Sequence, residues 1–268
     1  MGKYNIFQEY LAQNVSKSLL VNVNISIIMV NKNYIKEIHI QGDPLPSLRE
    51  EENNNIFLKF KFKEIKPREE KVFSVLAAIE TKEISKEELL YTDIRKAVTR
   101  QRIMLIYPEG LRRIRKISER LFRKSKLLID FEEEIINFIE RNFSAKDYEE
   151  KMGLEHLLSI NEGNKEDIID FIIALHKNAK IPARKVHGFI EKDSELIPHV
   201  WFETRINKIW VPIDPFNKNF GKIKENYIAK KVEYTEKMVS DYLTEFKSSK
   251  KIYSRALYIK QLKFALLI

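Results

Sequence analysis

Apolar and polar residues alternate through much of the first 85 positions. Val21, Val23, Ile25, Ile27 and Met29 interleave with Asn22, Asn24 and Ser26, and Leu58, Phe60 and Phe62 with Lys59, Lys61 and Lys63. Phe73, Val75, Ala77 and Ile79 repeat the pattern. A period of two turns one face of a strand to the core and the other to water, as in an antiparallel sheet. Gly42-Asp43-Pro44, the polar stretch from Glu50 to Asn55 and Pro67 punctuate these runs as turns. The expectation for residues 1–90 is an immunoglobulin-like β-sandwich.

The period then lengthens. Leu111, Ile114, Ile117, Leu121 and Phe122 recur at helical spacing, with Pro108 placed to start the helix and Lys126 near its end. Phe131, Ile135, Ile136, Phe138 and Ile139 mark a second helix, opened by the acidic run from Asp130 to Glu134, which suits a helix N-terminus. A third runs from Asn164 to about Lys180, with Asn164 as N-cap and Asp167 completing a loose capping box. Strands return at Arg184–Ile190, Leu196–Arg205 and Ile209–Ile213, the last two joined by a two-residue turn at Asn207-Lys208. A polar helix is expected from Thr235 to Phe246. The apolar tail from Ala256 to Ile268 reads as a strand closing a sheet rather than as a contact for a partner. The fold class is α+β, with residues 91–268 as the second domain.

Composition narrows the class. Hydrophobic residues make up 44% and charged residues 32% of 268, which suits a folded globular chain. No apolar run reaches the roughly 18 residues a membrane-spanning helix needs. The opening residues lack a signal-peptide apolar region, and Ile6 stands where a myristoylation motif has Ser or Thr, so the expected location is the cytoplasm. The wealth of Lys, Glu and Ile fits a thermophile, and equally an AT-rich genome. Net charge is +9, and it is concentrated: from Arg95 to Lys126 twelve basic residues face only Glu109 and Glu119. On the predicted helix Arg112, Arg113, Arg115, Lys116, Arg120, Arg123 and Lys124 lie off the apolar stripe. They form either a solvated face balanced by the acidic helix that follows, or a surface for nucleic acid or another polyanion. An anionic membrane surface is a third reading.

Three segments carry chemistry. Gly163-Asn164-Lys165 leads through the third helix to Ile181-Pro182-Ala183-Arg184; His199-Val200-Trp201-Phe202-Glu203 follows; Trp210-Val211-Pro212-Ile213-Asp214-Pro215 closes the set. If Asn207-Lys208 is the turn, Asp214 lies opposite Trp201 and His199 sits two residues along on the same face. Such diagonal neighbours are about 7–8 Å apart at the backbone, within reach of a carboxylate–imidazole contact. His199 and Asp214 can therefore form the base-and-orienter pair of nucleophilic catalysis. In order and spacing the three segments resemble the transglutaminase-like superfamily, with its papain-like core, over roughly residues 108–221. An N-terminal β-sandwich also occurs in that family.

The resemblance implies a triad of cysteine, histidine and aspartate, and here the cysteine position holds Lys165, giving the degenerate set Lys165, His199 and Asp214. The chain has no cysteine at all, so no thioester can form and no thiolate metal site or disulfide exists. Lys165 is then a solvated residue of a decayed site, a cation that binds an anion or acidic peptide in the old cleft, or a desolvated amine nucleophile. Arg184 and Glu203 are expected to pair in the core, and Trp201 and Trp210 to serve as core aromatics. The functional expectation is a catalytically inactive module, or pseudoenzyme, that binds a protein or peptide. One alternative is a nucleic-acid-associated protein using residues 95–126; another is an enzyme with altered, non-cysteine acyl-transfer or hydrolase chemistry. No cofactor, metal or membrane span is expected.

Overall fold

The computed structural model describes residues 2–50, 54–99, 112–147, 150–233, 242–247 and 256–267. Six strands come first, β1 (Lys3–Asn14), β2 (Leu20–Asn31), β3 (Ile35–Asp43), β4 (Ser47–Glu50), β5 (Asn55–Ile65) and β6 (Glu70–Thr81), then a short β7 (Ile84–Ser85). Helices α1 (Ile94–Ala97), α2 (Arg112–Lys124) and α3 (Leu128–Asn142) follow, then β8 (Ser144–Ala145), α4 (Leu154–Ile160), β9 (Glu162–Gly163) and α5 (Lys165–Asn178). The remaining strands are β10 (Ala183–Lys192), β11 (Glu195–Ile206), β12 (Ile209–Asp214), β13 (Asn219–Phe220), β14 (Lys222–Ile223), β15 (Tyr227–Glu233), β16 (Tyr242–Lys247) and β17 (Leu257–Leu267). Spatial contacts divide the chain into two compact units: Met1–Lys82 with Gly188–Pro198 and Glu225–Ile268, and Glu83–His187 with His199–Lys224.

The first unit holds two four-stranded antiparallel sheets, ordered β17-β1-β6-β3 and β16-β2-β5-β4. Alternation along β1, β2, β5 and β6 sends Ile6, Tyr10, Val23, Ile25, Phe60, Phe73 and Val75 into one shared core. Rings meet across it, Phe60 and Phe73 at 4.6 Å and Tyr10 and Phe73 at 5.2 Å between centroids. The apolar tail forms β17 and pairs antiparallel with β1, covering an edge that would otherwise present unpaired N–H and C=O groups. Asn55 ties in β15: its side chain accepts from the Val232 N–H at 2.9 Å and donates to the Val232 carbonyl at 3.0 Å.

Two expectations change here. Residues 188–198 and 225–268 group with the sandwich, whereas the pattern alone suggested a single boundary near residue 90. The described part of the expected helix from Thr235 to Phe246 is the strand β16, paired with β2; residues 235–241 lie outside the described residues. Tyr242, Thr244 and Phe246 favour strands, and the open edge of β2 offers backbone partners that a polar helix would leave unmet.

In the second unit α2, α3, α4 and α5 share a core built on Phe131, Leu157, Phe171, Leu175 and Phe202. Ile114, Ile117 and Leu121 form the buried stripe of α2. The Ser118 hydroxyl, buried on that stripe, donates to the Leu175 carbonyl of α5 at 2.7 Å. Pro108 and Leu111, the expected start of this helix, lie outside the described residues. The hairpin β11–β12 has the register that a turn at Asn207-Lys208 demands: Phe202 faces Ile213, Arg205 faces Trp210 and Ile206 faces Ile209. Both turn residues have positive φ, 48° and 68°, as a tight hairpin turn requires. Among the described residues no helix is long and apolar enough to cross a membrane.

Candidate functional site

The first turn of α5 is fixed by two side chains. The Asn164 side chain accepts from the Asp167 N–H at 3.0 Å, and the Asp167 carboxylate accepts from the Asn164 N–H at 3.1 Å. Asp167, fully buried, also accepts from the N–H groups of Met152 at 3.2 Å and Gly153 at 2.7 Å. This carboxylate holds the loop before α4 against the start of α5, a role its sequence position as a capping residue only half suggests. Lys165 is thereby set at the first helical position, exposed, with its ammonium 5.8 Å from the Phe216 ring centroid.

The hairpin brings the other two positions together. His199 Nε2 lies 2.8 Å from Asp214 Oδ2, with Asp214 fully buried and His199 8% exposed. Asp214 is further held by the Phe216 N–H at 3.0 Å, the Asn217 N–H at 3.3 Å and the Asn217 side-chain amide at 2.7 Å. Because these donors and the imidazole all point at one carboxylate, it is stabilised as an anion. It orients the ring with Nε2–H toward it, which makes Nδ1 the basic nitrogen. The imidazole stacks on Trp201, centroids 6.1 Å apart, and meets the Phe216 ring edge-on at 5.9 Å. Phe216 is thus shared by Lys165 and His199. The sequence reading passed over Phe216 and Asn217, although Asp214-Pro215-Phe216-Asn217 is a turn in which an Asp side chain caps the following N–H groups.

The paired His199 and Asp214 and the first residue of α5 both approach the Phe216 ring, and a thiolate at a helix N-terminus would gain from the helix dipole. The side chain at that place is an amine. An ammonium there meets the positive end of the dipole at a cost of about 0.3–1 kcal/mol, which a cation–π contact of comparable size offsets.

The family model of the transglutaminase-like superfamily matches residues 115–215, a span that contains all three positions. Over these residues the chain is similar to the transglutaminase-like superfamily. The solved structures similar to this chain include a proposed cysteine protease from Cytophaga hutchinsonii, at 16% identity and a TM-score of 0.58, covering 97% of this chain and 91% of that one. That likeness concerns the fold. A proposed protease from Parabacteroides distasonis is similar at 13% identity and a TM-score of 0.34, covering 76% of this chain and 42% of that one. No curated protein matches the chain.

Around the transglutaminase-like core other groups are placed as follows. Arg184 and Glu203 pair in the interior at 2.5 Å, and the Arg184 guanidinium lies 4.0 Å above the Trp210 ring. Trp201 is fully buried and Trp210 partly so. Lys185, nearly buried, meets Asp170 at 2.5 Å and Glu166 at 3.8 Å, an ion cluster on α5 and β10 that the sequence pattern did not signal. On α2, Arg112, Arg113, Arg115, Lys116, Arg120, Arg123 and Lys124 are all exposed. Arg100 and Arg102 lie outside the described residues.

Proposed function

We propose that this chain is a catalytically inactive transglutaminase-like protein whose cleft at Lys165, His199 and Asp214 binds a peptide segment of a partner. The observation that carries the reading is an exposed ammonium at the first position of α5, sharing the Phe216 ring with an imidazole still held by its carboxylate. An acyl group has no sulfur to join. A carboxylate entering the cleft meets the Lys165 charge and the N-terminus of α5 together, so an acidic side chain is the favoured occupant. The half-buried Phe216 gives the cleft an apolar wall beside these charges, with Trp201 packed beneath the imidazole.

Two measurements test this. With a glutamine peptide and a primary amine as substrates, the wild-type chain is expected to give no acyl transfer above the uncatalysed rate; measurable turnover overturns the reading. In a titration followed by the His199 imidazole resonance, an acetylated Ala-Glu-Ala amide is expected to shift the signal and its Ala-Gln-Ala counterpart to bind at least fivefold more weakly. Lys165→Ala is expected to remove that preference. Equal binding of the two peptides, or no binding of either, counts against it.

A further inference from the structure

The charge of α2 is organised by the fold in a way that the cleft does not use. Its 13 residues include seven cations and one acid, Glu119. The apolar stripe of Ile114, Ile117 and Leu121, with the half-buried Phe122 beside it, packs on the protein's own core. Successive exposed cations at Arg112, Lys116, Arg120 and Arg123 advance along the outer face by about one turn each, spanning about 16 Å at 1.5 Å per residue. Three acidic residues of α2 and α3 have the following partners. Glu119 pairs with Arg115 at 2.8 Å, Glu134 approaches Lys124 at 4.0 Å, and Asp130 accepts the Lys126 and Leu127 N–H groups. Among the described residues, the contact between a cation of α2 and a carboxylate of α3 lies at the C-terminal end of α2, at Lys124 and Glu134. The Glu119 and Asp130 carboxyls are both held below the usual range, Glu119 first by its bond to Arg115 and Asp130 first by the Leu127 N–H.

A second observation extends the surface. The Ile94 N–H donates to the Lys126 carbonyl at 3.1 Å and the Leu128 N–H to the Thr92 carbonyl at 3.0 Å, which docks α1 at the end of α2. Arg95 and Lys96 of α1, both exposed, thus continue the basic track from residues some thirty positions away in the chain.

We propose that α2 and α1 form a binding surface for the phosphate backbone of duplex nucleic acid. Arginine predominates, and its planar fork matches phosphate oxygens better than an ammonium does. Among the described residues of α2 the one aromatic side chain, Phe122, packs on the core, and Tyr91 is the exposed ring near α1, so the helix itself offers no run of rings for successive unpaired bases, which disfavours single strands. Among the described residues of α2 the apolar side chains all pack on the core, with none left to insert into a bilayer, which disfavours a membrane. Without groups aimed at base edges, the contact is blind to sequence.

The test uses the full chain and a fluorescent 20-base-pair duplex of mixed sequence, with anisotropy measured from 50 to 200 mM KCl. Contact with about four phosphates gives a slope of log K against log salt near −3.6, following the factor of 0.9 per phosphate. Lys116→Glu/Arg120→Glu/Arg123→Glu is expected to weaken binding at 50 mM salt at least 30-fold and to flatten the slope by about 3. The same charge change at Lys61→Glu/Lys63→Glu/Lys66→Glu is expected to change it less than threefold. Circular dichroism checks that both variants keep the fold. No duplex binding at 50 mM salt, equal loss in the two triple variants, tenfold tighter binding to the single strand, or preference for vesicles with 30% phosphatidylserine over the duplex each overturns the proposal.

Discussion

His176 is the side chain on which the helical core of the second unit turns most sharply. Both it and Glu132 are fully buried, Nε2 meets Glu132 Oε1 at 2.8 Å, and Nδ1 meets the Ile172 carbonyl at 2.9 Å. A carbonyl only accepts, so Nδ1 carries a proton, and the ionised Glu132 favours a second on Nε2. Burial pulls the imidazole down; the charge and hydrogen bond of Glu132, with the Ile172 carbonyl, outweigh it and hold the group above its ordinary value near 6.5. A raised folded value means stability from this pair is complete below about pH 6.5 and is lost as pH rises through the folded value. His176→Phe is expected to lose about 3–5 kcal/mol at pH 6, since it strands a buried carboxylate. In urea melts the gap between variant and wild type is expected to narrow as pH is raised toward 9. A pH-independent gap counts against the charged pair. The sequence hinted at none of this: Glu132 sits in a run of acids that reads as a helix start, and only the packing of α3 on α5 buries it.

At the scale of elements, the start of α5 rests on the two caps and not on apolar burial alone. Asn164→Ala is expected to cost about 1 kcal/mol, the usual worth of an N-cap. Asp167→Ala removes the acceptor of three N–H groups and is expected to cost about 3 kcal/mol, at roughly 1 for each group left unmet. Chemical denaturation of both variants checks the order; an Asp167→Ala loss no larger than that of Asn164→Ala contradicts the anchoring role. The cap itself was legible, because Asn at the boundary with an acid three residues on is a local signal. The attachment of Met152 and Gly153 was not, because it depends on how a loop returns. The hairpin β11–β12 was legible for the same local reason: two residues between alternating runs fix every cross-strand pair, and so bring His199 to Asp214.

For the whole molecule, the final strand is the most exposed prediction. Ala256 and Leu257 are buried and Ile259 packs on the sandwich core, while β17 pairs with β1 along its length. Deleting residues 256–268 is expected to cost about 3–6 kcal/mol, at 1.5–3 for each large apolar side chain returned to water. It also bares the β1 edge, so light scattering is expected to report self-association. An unchanged denaturation midpoint rules out this account of the tail. By itself the sequence determined what depends on neighbours along the chain: the strand and helix periods, the caps, the hairpin register, and the absence of cysteine. Only the tertiary structure decided which distant segments meet. It paired β16 and β17 with the first sheets, which made residues 242–247 a strand, and brought the Phe216 ring near both Lys165 and His199. The reason is physical: backbone propensity and spacing act over a few residues, whereas the edge of a sheet or the wall of a core is satisfied by whichever remote segment can reach it.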